Sequence, residues 1–165
     1  MSSDLAYRAM VFARTAHAGQ VRKYTGNPYA DHLAEVAGIL ATVDNRPESL
    51  AVAWLHDTVE DCGVHPSELL DMFGEEVRVG VVLLSDLEVG SRADRKAASR
   101  ARLAAAPGWV QTIKCADLIS NTSSIVRHDP KFAVTYLTEK RALLEVLSSA
   151  DSRLLGLARA QVGLA

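Results

Sequence analysis

Four residues in the segment AVAWLHDTVED, residues 51–61, are of types that do chemistry: His56, Asp57, Glu60 and Asp61. On a helix of about 3.6 residues per turn their spacing forms a single stripe. A stripe of charge is ordinarily a solvated face. Here the residues just before it, Leu50 to Leu55, are apolar on every side, so the segment reads as entering a core. A buried carboxylate without a partner costs several kcal/mol or takes up a proton. A bound cation removes that cost, and His56 and Asp57, about 100° apart around the helix axis, can both reach one ion.

The other ligands must then come from elsewhere in the chain. His32 stands directly after an Asn-Pro-Tyr turn, on a face shared with Glu35 and Ile39. Asp117 lies among Ile113, Cys115, Ala116 and Leu118, a setting unfavourable to a mid-helix Asp both by propensity and by burial. Two imidazoles and two carboxylates suit Mn²⁺, Fe²⁺ or Zn²⁺ better than Ca²⁺ or a thiolate-bound zinc. Such a set leaves room for a water molecule, and Glu60 and Asp61, one turn further on, are placed to take its proton and later return one to a leaving oxygen. Arg22 and Lys23, with Lys114 or Arg95, would offset the negative charge of a phosphate under attack. Between Asp57 and Asp117 the only histidine is His65, beside Pro66, so a single metal is expected.

These residues need helices to position them. Apolar residues recur at helical spacing and strand signals are nearly absent, which predicts an all-α bundle. Helices are expected over 4–18, from Asp31 as N-cap to Val43, over 47–62, over a short segment after Pro66, over 75–86, through an alanine-rich stretch near 92–105, and over 109–127, 131–148 and 151–162. The segment GQVRKYTGNPY, with Gly19, Gly26 and Pro28, reads as a loop. Arg92, Arg95, Lys96 and Arg102 share one side of their helix, most simply a solvated face. His17 reads as a helix-end histidine favoured by the dipole, ahead of the alternative of a place near the site; Trp54 reads as core packing and Tyr29 as part of a pocket mouth. His65 and His128 read as loop or helix-end residues.

Composition narrows the partners. The 165 residues form one expected domain, residues 1–165, and 48% hydrophobic content is enough for a core. A net charge of −2 gives no basic field for nucleic acid. The apolar runs are too short to span a bilayer and the start lacks the features of a signal peptide, so a cytoplasmic protein with no membrane partner is expected. Cys62 and Cys115 read as buried small hydrophobes rather than as a disulfide or thiolate site. Oligomeric state is not legible.

The order His32, His56-Asp57, Asp117 resembles the HD superfamily of metal-dependent phosphohydrolases. AHAGQVRKYTGNPYADH, then WLHDTVED, FGEEV and IKCADLISN, resemble the hydrolase domain of the RelA/SpoT homologue family. The likeness is greatest to its small free-standing members, the metazoan SpoT homologues among them, and covers about residues 5–160. It implies an HD-domain helical bundle and a Mn²⁺-dependent 3′-pyrophosphohydrolase acting on guanosine 3′,5′-bis(diphosphate), a small-molecule nucleotide, to give GDP or GTP and pyrophosphate. It puts His32, His56, Asp57 and Asp117 at the metal and makes Glu60 and Asp61 the catalytic acids. It puts Asn121, Ser124, Arg22 and Lys23 at the substrate. Synthesis of the nucleotide is not expected, because the synthetase domain of long members has no counterpart here. Leu33 replaces the family's usual proline, Leu118 and Ser123 replace usual basic residues, and Tyr24 is an added loop residue. These departures leave the ligand set intact and keep two alternatives open: a phosphatase of other specificity, for example on the 2′-phosphate of NADPH, and a nucleotide-binding module without turnover.

Overall fold

The structure, a computed structural model, describes residues 2–164. Among the described residues it contains ten helices and no strand, in line with the all-α expectation. It divides into two compact units, Met1–Leu87 and Glu88–Ala165.

The first unit holds α1 (Ser2–Ala16), α2 (Ala30–Ala41), α3 (Pro47–Leu55), α4 (Thr58–Cys62), α5 (Pro66–Phe73) and α6 (Glu75–Leu84). Its centre is α3, which packs on α1, α2 and α6. Ala51, Val52, Ala53 and Leu55 are all buried, because a helix apolar around its whole circumference can only be covered on several sides. Small residues on α1, Ala9 and Ala13, let the helices approach closely. Phe12 of α1 meets Phe73 of α5 edge to face at 5.5 Å, and Arg8 donates to the Met72 carbonyl near the end of α5 at 2.7 Å.

Two local features depart from the sequence-based expectation. Tyr29, not Asp31, is the N-cap of α2, and Asp31 sits inside the first turn, where its charge suits the helix dipole. The helix expected over 47–62 is interrupted at His56 and Asp57. His56 Nδ1–H donates to the Ala53 carbonyl at 2.8 Å and the Thr58 hydroxyl to the Leu55 carbonyl at 2.7 Å. Side chains thereby claim carbonyls at the end of α3 that a continuing helix would offer to its own amides. Asp57 adopts φ −98°, ψ −2°, in the sparsely populated bridge region.

Residues 17–29 form a narrow loop that folds back on itself. Arg22 N–H donates to Asn27 O at 2.8 Å and Tyr29 N–H to Gln20 O at 2.9 Å, with a single bridge between Val21 and Pro28. The reversal depends on Gly26 at φ +72°.

The second unit holds α7 (Arg92–Ala104), α8 (Gly108–His128), α9 (Pro130–Val146) and α10 (Ser152–Ala160), with α8 packing on the other three. Gln111, fully buried, donates to the Leu103 carbonyl at 3.0 Å and accepts from Ser149 N–H at 2.8 Å. A Cβ at Gly108 would run into the Ser149 carbonyl oxygen, so glycine is required there. The basic face of α7 is partly committed: Arg92 makes a two-pronged pair with Glu139 at 2.6 and 2.8 Å, and Arg102 pairs with Glu88.

Candidate metal centre

The first unit brings His32, His56 and Asp57 together. One ligand atom from each lies within 4.8 Å of the others. His32 comes from the first turn of α2, and His56 and Asp57 from the interruption between α3 and α4. Asp57 Oδ2 is 3.0 Å from His56 Nε2 and 3.7 Å from His32 Nε2. Both rings are almost fully buried, at 1% and 3% exposure, and stand edge-on to one another with centroids 5.5 Å apart.

The second nitrogen of His56 decides its role. With Nδ1–H spent on the Ala53 carbonyl, Nε2 is the nitrogen turned towards Asp57 and His32. Asp57 is oriented by the Tyr29 hydroxyl, which donates to Oδ2 at 2.7 Å. Tyr29 in turn lies against His32 at 5.4 Å and stacks on His17 at 4.9 Å. Two buried imidazoles and a carboxylate with converging donor atoms fit a divalent transition ion. Cys62 is half-buried rather than buried, and its thiol is pushed up by burial and then by the charges of Asp61 and Asp57.

Glu60 and Asp61 do not share that enclosure. Both are exposed on the short helix α4, which ends at Gly63, so the stripe read from the sequence is buried at His56, half-buried at Asp57 and open beyond. Glu60 Oε2 accepts from Asp86 N–H at 2.9 Å, and Asp61 Oδ2 accepts from the Gln20 amide at 3.1 Å. Arg22 and Lys23 lie in the folded-back loop, with the Lys23 ammonium 5.0 Å from the centre of the Tyr24 ring.

Asp117 and Asn121 belong to the second unit, on successive turns of α8. Asp117 is buried; its Oδ2 pairs with Lys114 at 2.8 Å and its Oδ1 accepts from Asn121 Nδ2 at 2.7 Å. Asn121 thus has a defined role within its own helix, orienting Asp117. Ser124 is half-buried further along α8.

His17 stands directly after α1, at a helix end, and is also 3% exposed and stacked on Tyr29 beside the cluster. The loop itself carries the signal: a chain that reverses between Gly19 and Pro28 returns residue 29 to residues 17–20. His65 caps α5 by accepting from Ser67 N–H, and the His128 ring bonds the Ser124 carbonyl.

The HD domain family profile matches residues 9–109. Over 155 residues the chain is 34% identical to a probable GTP pyrophosphokinase of Mycobacterium leprae, covering 92% of this chain and 19% of that protein. Over 91 residues it is 42% identical to the guanosine-3′,5′-bis(diphosphate) 3′-pyrophosphohydrolase of Vibrio cholerae, covering 55% of this chain and 13% of that one. The chain therefore spans less than a fifth of the length of these curated relatives. A solved structure described as a metazoan ortholog of SpoT that hydrolyzes ppGpp superposes with a TM-score of 0.88 at 24% identity, covering 99% of this chain and 98% of the other; that likeness carries the fold. The chain belongs to the HD domain family, and its relatives bear out the resemblance to RelA/SpoT homologues read from its motifs. No described helix is long and apolar enough to cross a membrane.

Proposed function

We propose that the protein is a metal-dependent 3′-pyrophosphohydrolase of guanosine 3′,5′-bis(diphosphate). The observation that carries the proposal is the convergence of His32, His56 and Asp57 in a chain with relatives named as pyrophosphohydrolases of this nucleotide. A divalent ion held by these residues, with Mn²⁺ the proposed occupant, would supply Lewis-acid activation of water and neutralise charge on the phosphate. Asp117 is proposed as a further ligand on the sequence pattern alone.

The chain's own groups do the rest. Glu60 and Asp61, accessible to solvent and bonded to the Asp86 and Gln20 amides, take the proton of the attacking water and return one to the 3′ oxygen. Water oxygen bonds to the phosphorus, the bond from phosphorus to the 3′ oxygen breaks, and the products are pyrophosphate and a nucleotide with a free 3′ hydroxyl. Arg22 and Lys23 offset charge on the diphosphate, with Asn121 and Ser124 proposed as nucleotide contacts from the motif resemblance.

Product analysis of the purified protein with Mn²⁺ tests this, using guanosine tetraphosphate, NADPH and simple nucleotides, with Asp57→Ala as blank. Pyrophosphate released from guanosine tetraphosphate by the wild type alone is the expected result. Turnover of NADPH or another ester with the tetraphosphate left intact would overturn it.

A further inference from the structure

The loop 17–29 holds two carboxylates with two different side chains. Tyr29 donates to Asp57, and Gln20 donates to Asp61. Gln20 is itself oriented: its Oε1 lies 2.7 Å from His17 Nδ1. A carboxylate accepts only, so the Gln20 amide must turn its NH₂ to Asp61 and its oxygen to His17, and His17 Nδ1 must carry a proton. The main chain of Gln20 is pinned as well, its N–H to the His17 carbonyl at 3.0 Å and its carbonyl to Tyr29 N–H at 2.9 Å. The His17 ring is fixed by burial and by its stack on Tyr29. Asp61 is exposed, and in water an exposed carboxylate samples several rotamers. A glutamine with a locked amide selects one of them.

Resting on the functional reading above, we propose that the chain His17, Gln20, Asp61 is a positioning relay, with His17 and Gln20 setting the direction from which Asp61 handles the proton of water. Neither residue touches a metal ligand through this chain, so their loss acts on the chemical step and leaves the centre intact.

Three variants test the proposal. Gln20→Leu removes the donor at similar size, His17→Phe keeps the ring stack and removes the Nδ1 donor, and His17→Asn restores a donor near the Nδ1 position. Misplacing an acid or base by a fraction of an ångström costs about 10- to 100-fold, and kcat of Gln20→Leu is expected to fall by that amount. KM and the Mn²⁺ affinity read by titration should stay within about twofold. His17→Phe should lose part of kcat and His17→Asn recover most of it. A kcat for Gln20→Leu within about twofold of wild type overturns the relay. So does a Mn²⁺ affinity that falls in step with kcat, since the loop would then merely support the metal cluster. A second readout needs no turnover: in the metal-free protein the Gln20 side-chain amide resonances should move in both His17→Phe and Asp61→Asn. If they move in neither, the relay is absent. Wild-type protein inert towards the nucleotide would end the functional reading, and the amide resonances alone would then decide the relay.

Discussion

The two units bury polar side chains in opposite ways. In the second unit the buried polar groups tie the fold together. Gln111 joins the Leu103 carbonyl to Ser149 N–H, Thr112 accepts from Asp151 N–H, and Lys140 donates to the Leu118 carbonyl, Thr122 and Gln161. In the first unit the buried His32 and His56 turn nitrogens towards one carboxylate, and the outer partners Tyr29 and Ala53 aim those groups at one another. The same residue classes stabilise a fold when their bonds disperse into backbone, and make a ligand set when their bonds leave donor atoms gathered at one point. Burial of polar groups alone does not distinguish the two.

The sharpest way to break this contrast is at Asp57. Asp57→Ala should abolish turnover and weaken Mn²⁺ binding by more than the roughly 100-fold that an outer-partner mutation costs, read by titration calorimetry. Removing a carboxylate crowded by two imidazoles should leave Tm little changed. A large Tm loss with metal binding intact would move this cluster into the structural class.

Next in size is Tyr29→Phe. It keeps the stack on His17 and removes the hydroxyl from Asp57, so Mn²⁺ affinity should drop about tenfold with the fold retained.

The smallest effect belongs to the second unit and is a stability effect. Burial pulls the Lys140 ammonium down to about 7 despite the opposing charges of Asp117 and Cys115, with Lys114 adding to the depression. The Tyr136 ring lies 5.9 Å away on the same helix. Above about pH 7 the folded form releases this proton while the unfolded chain still holds it, so stability from this group rises with pH towards the ordinary lysine range and is lost as pH falls through about 7. The wild-type Tm should therefore climb between pH 7 and 9 relative to Lys140→Met, followed by circular dichroism. Parallel profiles would refute the assignment.

The helices were legible because core periodicity is a whole-segment signal, and apart from the one expected over 47–62 each is found within a few residues. The interruption at His56 and Asp57 was not, since it rests on side-chain bonds to the Ala53 and Leu55 carbonyls and on the backbone angles of Asp57, which no hydrophobic pattern encodes. The convergence of His32, His56 and Asp57 was legible from residue types in an apolar setting. The exposure of Glu60 and Asp61 was not, because the short run before Gly63 carries the chain back to the surface only once the break is known. The link from His17 through Gln20 to Asp61 was not legible, since it lies in a loop closure that no periodicity encodes.

That loop closure has a consequence for how the family could vary. Tyr29 N–H and Gln20 O lock its base, and the residues bonded towards Asp57 and Asp61, which are His17, Gln20 and Tyr29, all sit at or below the lock. Arg22, Lys23 and the added Tyr24 sit beyond it. Lengthening such a tip adds only about 0.6 kcal/mol per doubling of the loop. Residues at the tip can thus be inserted, deleted or exchanged while the geometry beneath stays constant, which on the proposed function would separate the evolution of what is recognised from that of how it is cut.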